Sequence, residues 1–264
     1  MVKTYKAAAL IAEFVGSFML ASVVLAMLDK SQPLYATVLM AGAALTLVAL
    51  TVGRVSGTHI NPAVTIGLWT IRRVDTVRAV AYIFVQLLGG LAAMYVAQQV
   101  LGHDLVRRAA QPVDWVVVFA EALGAALFMI GFASAVYRGY RGAVAALTVG
   151  GSFALGLIVA SMGSAAIINP AVALSVNAFS LSYIVGPILG AVAGANLYAL
   201  VFAPLDSAER RHAMLANSAG RVASSHATHA HAATKKASAK KSVAKPVTRR
   251  KTVAAKTAKK STKR

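Results

Sequence analysis

The chain has 264 residues, 58% of them apolar and only 13% charged, where an average soluble domain carries ~25% charge. Residues 1–204 hold 11 Lys/Arg against 6 Asp/Glu, net +5, and residues 205–264 hold 16 against 2, net +14. An apolar body with a basic tail excludes a soluble globular enzyme, and the absence of cysteine excludes disulfides, thiolate metal sites and cysteine nucleophiles.

Crossing ~30 Å of hydrocarbon takes roughly 20 apolar residues as helix. The first such span is Ala7–Leu28, broken by one acidic residue, Glu13. The run behind Lys3 and Lys6 is too long for a signal-peptide core and lacks an A-x-A site, so a cleaved leader is not expected. After Asp29 and Pro33 comes the second span, Leu34–Val52. Ile60–Ile71 follows, apolar but too short to cross, and it opens on Asn61-Pro62-Ala63. Ala79–Leu101 is the third span, and a loop with His103 and Pro112 leads to the fourth, Trp115–Tyr137, which holds Glu121. Past Gly139, the fifth span Gly142–Met162 precedes a second short segment, Ile168–Phe179, opening on Asn169-Pro170-Ala171. Tyr183–Ala203 is the sixth span. The expected fold is an all-α membrane protein with six transmembrane helices and two re-entrant half-helices.

An even number of spans puts both termini on one side. With termini cytoplasmic, the inner segments hold Lys3, Lys6, Arg54, Arg72, Arg73, Arg78, Arg138 and Arg141, against Lys30, Arg107 and Arg108 outside. The Lys/Arg bias therefore predicts cytoplasmic termini in a multi-pass protein of the plasma or inner membrane.

The two short segments belong to a repeat. Asn is a favoured N-cap and Pro a favoured first helical residue, so each Asn-Pro-Ala starts a helix. About ten residues make ~15 Å of helix, and two such pieces tip to tip would span the core. Asn61 to Asn169 is 108 residues, and so is Glu13 to Glu121. Gln86-Leu87-Leu88-Gly89 in turn faces Pro187-Ile188-Leu189-Gly190. Each half (about 5–104 and 113–204) has three spans, an odd number, so the second enters the membrane inverted. Broken helices in inverted repeats put a pathway where the half-helices meet.

Two Asn-Pro-Ala boxes at matched offset, with Glu13 and Glu121, resemble the aquaporin and glycerol-facilitator (major intrinsic protein) family. The resemblance covers roughly residues 5–204, and Ser56-Gly57-Thr58-His59-Ile60-Asn61-Pro62-Ala63-Val64-Thr65 is close to the family's first box. It implies one pore per subunit of a homotetramer, with passive flux of water and small uncharged solutes. The sequence shows no nucleophile–base pair, phosphate loop or metal spacing, so no catalysis, cofactor or metal is expected. Half-helix N-termini carry unpaired N–H groups and a partial positive charge, a dipole barrier to cations known from aquaporin pores. The resemblance further implies that Asn61 and Asn169 donate to the passing solute. Backbone at Gly57–Ile60 and Gly163–Ile168 would supply a ladder of acceptor carbonyls. Glu13 and Glu121 would brace the re-entrant loops through backbone N–H groups rather than act as general acids. His59 either packs and hydrogen-bonds within the first of those loops or gates the pore.

The family's selectivity constriction uses four positions, which ungapped alignment to each box places at Ala41, Leu157, Ala166 and Val172. Its usual Arg, three residues after the second Asn, is absent: Val172 stands there, and Ala173 replaces the acidic residue of glycerol facilitators. Losing the Arg removes a fixed charge and several donors. The expected filter is wide, apolar and weaker at excluding protons. The alternatives are a channel for ammonia, gases or weakly polar solutes, or a poorly conducting scaffold.

Residues 207–264 form the second expected domain, a tail of Lys, Ala, Ser, Thr and His too poor in apolar side chains to offset ordering entropy. Disorder is expected over Ser218–Arg264, with Ala208–Leu215 continuing the last helix. Three readings stand for it: a solvated extension, a strip holding anionic lipid, or a salt-sensitive contact with nucleic acid. His226, His229 and His231 could at most hold a metal weakly. For the whole chain the rivals to a channel are a secondary transporter and a membrane tether acting through the tail.

Overall fold

The computed structural model describes residues 2–105 and 112–203. The chain divides into two units, Met1–Ala208 and Glu209–Arg264; the second unit, with the expected tail, its extended helix and its histidines, lies outside the described residues. So do Arg107 and Arg108.

Eight helices make up the described part: α1 (Val2–Asp29), α2 (Leu34–Ser56), α3 (Pro62–Thr70), α4 (Thr76–Leu101), α5 (Trp115–Arg138), α6 (Gly142–Ala160), α7 (Pro170–Ser175) and α8 (Leu181–Leu197), the last continued by a π-helical turn over Tyr198–Phe202. Six are long and apolar enough to cross a membrane: Ala7–Asp29, Leu34–Ser56, Thr76–Leu101, Trp115–Arg138, Gly142–Ala160 and Leu181–Phe202. Caps set several boundaries. Asp75 accepts from the Arg78 N–H at 3.0 Å and starts α4 three residues before the expected Ala79. Asp114 accepts from Val116 and Val117 N–H at the head of α5. Gly57 (φ 94°) closes α2 and Gly139 (φ 66°) closes α5, both in the left-handed region that glycine adopts without strain.

The two short segments are helices, but unequal. α3 runs nine residues and α7 only six, so the expected equal pieces of about ten residues are corrected. Arg72 (φ 58°) and Asn177 (φ 59°) turn the chain left-handed after them. The Ala178 N–H returns to the Ala173 carbonyl at 2.9 Å, ending α7 a turn early. At 1.5 Å per residue the second half-helix is only about 9 Å long, and the chain beyond it is tied down by Asn177, whose Nδ2 donates to the Leu105 carbonyl at 3.2 Å.

The halves pack alike: α1 against α4, α5 against α8, with α2 against α6 between them. The outward faces carry exposed Leu39, Leu47, Phe84, Tyr95, Leu155 and Leu200, while Glu13, Thr65, Gln86 and Glu121 are wholly buried. That inversion of the soluble pattern suits a bilayer, where apolar side chains face lipid and polar ones must find partners inside. Close helix approach depends on small residues. At Gly190 of α8 an added Cβ would stand 2.7 Å from the Ala122 Cα of α5. Gly190→Val is therefore expected to separate α5 from α8 and cost at least ~1–3 kcal/mol, read as a lowered melting temperature and loss of monodisperse protein.

Candidate functional site

α3 and α7 begin face to face, and their first residues are laced together. Asn61 accepts from the Ala63 N–H at 2.8 Å, capping α3, while its Nδ2 donates to the Ile168 carbonyl at 2.9 Å. Asn169 mirrors it, accepting from Ala171 N–H at 2.9 Å and donating to the Ile60 carbonyl at 3.0 Å. Pro62 and Pro170 occupy the first helical turn, where no N–H is needed, and Ala63 and Ala171 are the N–H donors to the caps. An amide nitrogen has two N–H donors, so each asparagine keeps one beyond the bond that ties it to the opposite half. The last carbonyl of each expected ladder, Ile60 and Ile168, is already engaged by the opposite asparagine.

The backbone leading into each box is strained. Thr58 (φ 52°), Ile60 (φ 36°), Ala166 (φ 56°) and Ile168 (φ 42°) are all left-handed, paired across the halves by the same 108-residue offset. For β-branched residues this conformation is rare, and costs ~1–3 kcal/mol per residue. Two carboxyls hold it. Glu13 accepts from His59 N–H at 3.0 Å and Ile60 N–H at 2.6 Å. Glu121 accepts from Ile167 N–H at 2.9 Å and from Ile168 N–H.

The surroundings of these carboxyls differ between halves. Gln86, from α4, donates to Glu13 at 2.7 Å and to the Thr65 hydroxyl at 3.0 Å. Its repeat counterpart is Pro187, which can donate nothing. In the second half Ser164 donates to Glu121 at 2.6 Å, and the Tyr183 hydroxyl accepts from Ala165 N–H at 3.1 Å. Sequence reasoning used Gln86 only as a repeat landmark and passed over Ser164; a glutamine inside a charge-free span was the signal available. His59 sits edge-on to Tyr82 (centroids 5.2 Å apart) and Phe132 (6.0 Å), with Nδ1 3.2 Å from the Thr65 hydroxyl. Gln86→Leu would orphan one bond to Glu13 and one to Thr65, for an expected loss of about 1–3 kcal/mol, measured by thermal unfolding.

Two cavities flank the junction, and α2 runs from one to the other. The first, about 210 Å³, brings Ala41, Leu157, Ala166 and Val172 together, beside Phe153 and Val38. All four of those side chains end in carbon. The second, about 650 Å³, is walled by Arg54, Gly57, Thr58, Phe132, Tyr140 and Arg141 among others. No group of three His, Cys, Asp or Glu able to hold a metal occurs among the described residues.

This arrangement of six spans, two opposed half-helices and paired asparagines coincides with a family-wide sequence match: the major intrinsic protein profile fits residues 1–198. The chain belongs to the major intrinsic protein family. The family consists of membrane channels for water and small neutral solutes, not enzymes. Among its relatives, Aquaporin NIP3-1 of Oryza sativa subsp. japonica is 31% identical over 209 residues, covering 72% of this chain and 67% of that protein. Glycerol uptake facilitator protein-like 6 of Lactiplantibacillus plantarum is 33% identical over 206 residues, covering 70% and 94%. The X-ray structure of the aquaglyceroporin from Plasmodium falciparum shares the fold, with a TM-score of 0.60 at 21% identity over 76% of this chain and 99% of that one. This major intrinsic protein is thus a multi-pass integral membrane channel.

Proposed function

We propose that this channel passes water and small uncharged solutes broadly, down their gradients, through a constriction formed by Ala41, Leu157, Ala166 and Val172. The observation that carries the reading is that these four residues wall one cavity and offer it no side-chain donor or charge. Water and solutes are then selected by width and by the junction beyond, where Asn61 and Asn169 each hold one spare N–H and the α3 and α7 N-termini oppose cations. Glu13 and Glu121 are bracing residues in this reading, and His59 is a packing residue of the first loop, held by Tyr82, Phe132 and Thr65. A relative named as a glycerol facilitator and others named as aquaporins support a pore of this solute range.

The same four apolar residues favour a second reading, a preference for weakly polar solutes such as ammonia, because a polyol passing between them finds no side-chain partner among the four for its hydroxyls. Light-scattering stopped-flow on proteoliposomes compares the two. Comparable rates for water, glycerol and urea support the broad channel, whereas ammonia flux without glycerol flux supports the second. Flux of none above empty liposomes overturns both.

We further place both termini in the cytoplasm, residues 1–206 as the channel domain and residues 207–264 as a basic tail, and the subunits in a homotetramer. The tail's partner would be anionic lipid, with nucleic acid the weaker match because no aromatic is interleaved for base stacking. Deleting residues 218–264 is expected to leave flux intact. With no cysteine in the chain, mercurials are expected to leave flux unchanged; rapid, thiol-reversible block would contradict this.

A further inference from the structure

Large apolar side chains stand between the two cavities, one from each of four spans. On α6, Gly142, Ala145 and Val149 line the second cavity, while Phe153 and Leu157 line the first. Positions three or four apart share one face of a helix, so Phe153 is where the first cavity ends on that face. On α2, Ala41 belongs to the first cavity and Ala49 to the second; Leu45 lies four residues from each. α1 carries Leu20 four residues before Val24 of the first cavity, and α5 carries Phe128 four residues before Phe132 of the second. The two cavities share no wall residue. Leu20, Leu45, Phe128 and Phe153 are at most 2% exposed.

The repeat gives their level independently. Leu20 to Phe128 is 108 residues, and so is Leu45 to Phe153, the offset that pairs Asn61 with Asn169. The same inversion relates all these pairs, so each is disposed evenly about the level where the half-helices meet. Contacts agree with this. A Cβ on Gly156 would stand 3.1 Å from Phe128 Cβ and 3.0 Å from Ile168 Cδ1, which puts Phe128 beside the loop that carries Asn169. Phe153 packs edge-on against Phe128 with centroids 5.0 Å apart, and Phe128 against Phe132 at 6.0 Å. Three rings thus run from the wall of one cavity to the wall of the other.

We propose that Phe153, backed by Phe128, sets the size cut-off of the pore, deeper than the constriction of Ala41, Leu157, Ala166 and Val172; this rests on the channel reading above. That constriction is built of two alanines, a valine and a leucine, and the deeper level of two leucines and two phenylalanines, so the narrower passage lies at the second. Phe153 is the member that reaches the first cavity and meets the solute. Phe128 is a positioning residue, fixing the Phe153 ring through the edge-to-face contact.

Stopped-flow on proteoliposomes holding the full chain reads the glycerol-to-water and urea-to-water rate ratios, which a loss of folded protein does not move. Phe153→Leu should raise both ratios severalfold, and Phe153→Ala roughly tenfold. Phe128→Leu should raise them in the same direction and add nothing to Phe153→Ala. Unchanged ratios in Phe153→Leu and Phe153→Ala, from a wild type that conducts, overturn the cut-off and leave the channel reading standing. A silent wild type opened by Phe153→Ala upholds the role of Phe153 and overturns broad passage; silence in both overturns both. Because the chain has no cysteine, Phe153→Cys gives a second measurement. An organomercurial should block its flux, with recovery on adding a thiol, and leave Leu155→Cys on the exposed face of the same helix unaffected. A conducting Phe153→Cys that resists block removes Phe153 from the pore wall and overturns the proposal.

Discussion

Glu121→Gln is expected to lower the stability of the fold by about 2–4 kcal/mol and to remove most of the flux, although it changes a single oxygen to an NH₂. The carboxyl's two oxygens serve three donors: Oε1 accepts from the Ile167 N–H and the Ser164 hydroxyl, and Oε2 accepts from the adjacent Ile168 N–H. A glutamine has one acceptor oxygen and must turn its NH₂ toward one of those N–H groups. The resulting orphan donor is buried, and the left-handed turn at Ile168 loses the contact that holds it. Ile168 then ceases to present its carbonyl to Asn61, so damage in the second half reaches the first. Thermal unfolding together with stopped-flow water flux checks this; wild-type values for both would mean that the loop keeps its shape without the carboxyl. Because the first half adds Gln86 to its brace, Glu13→Gln should show the same sign, with the further loss of a matched donor.

Val172→Arg carries the second large effect. Val172 is buried and stands in the cavity wall with Ala41, Leu157 and Ala166. Arginine there adds a longer side chain, a fixed charge and five donors to a set of four residues that has none. Glycerol and urea flux should fall by about tenfold or more relative to water, which corresponds to ~1.4 kcal/mol of added barrier. Proton leak, followed with a pH-sensitive dye inside the vesicles, should fall in the same variant, since the half-helix dipoles would then act together with a formal charge. Unchanged solute ratios would show that selection takes place elsewhere, the half-helix junction being the next narrow point. A wild type that leaks no protons would show that the dipoles suffice.

The large features of the fold were legible because each follows from local rules. A run of about twenty apolar residues has to be a spanning helix, and all six are found, with ends moved by caps such as Asp75. Asn-Pro-Ala starts a helix wherever it precedes an apolar run, and both α3 and α7 start on it. Where those helices stop was not legible. Ile168–Phe179 is apolar throughout apart from Asn169, Ser175 and Asn177, yet α7 ends at Ser175 because Asn177 turns left-handed and docks on Leu105. That stop depends on a loop 72 residues away in sequence, which no window along the chain contains.

The candidate site divides along the same line. Matched spacing picked out Asn61 with Asn169 and Glu13 with Glu121, since a duplication leaves its offset in the sequence. Gln86 leaves no such trace, since it faces a proline in the other repeat; Ser164 does share the 108-residue offset with Ser56, but only Ser164 donates to its half's glutamate, which the spacing does not show. Each earns its place only through what it touches.

By itself, then, the sequence determined six spans, two helix starts, their inversion and the apolar character of the residues aligned with the constriction, because hydropathy, capping and duplication are written along the chain. Only the tertiary structure decided that each asparagine ties itself to the opposite half, that the two braces have different partners, and that Phe153 in the wall of the first cavity packs on Phe128. The hydrogen bonds among those relations join residues 43 to 109 positions apart, set by how the helices pack, and packing is decided by the whole molecule at once.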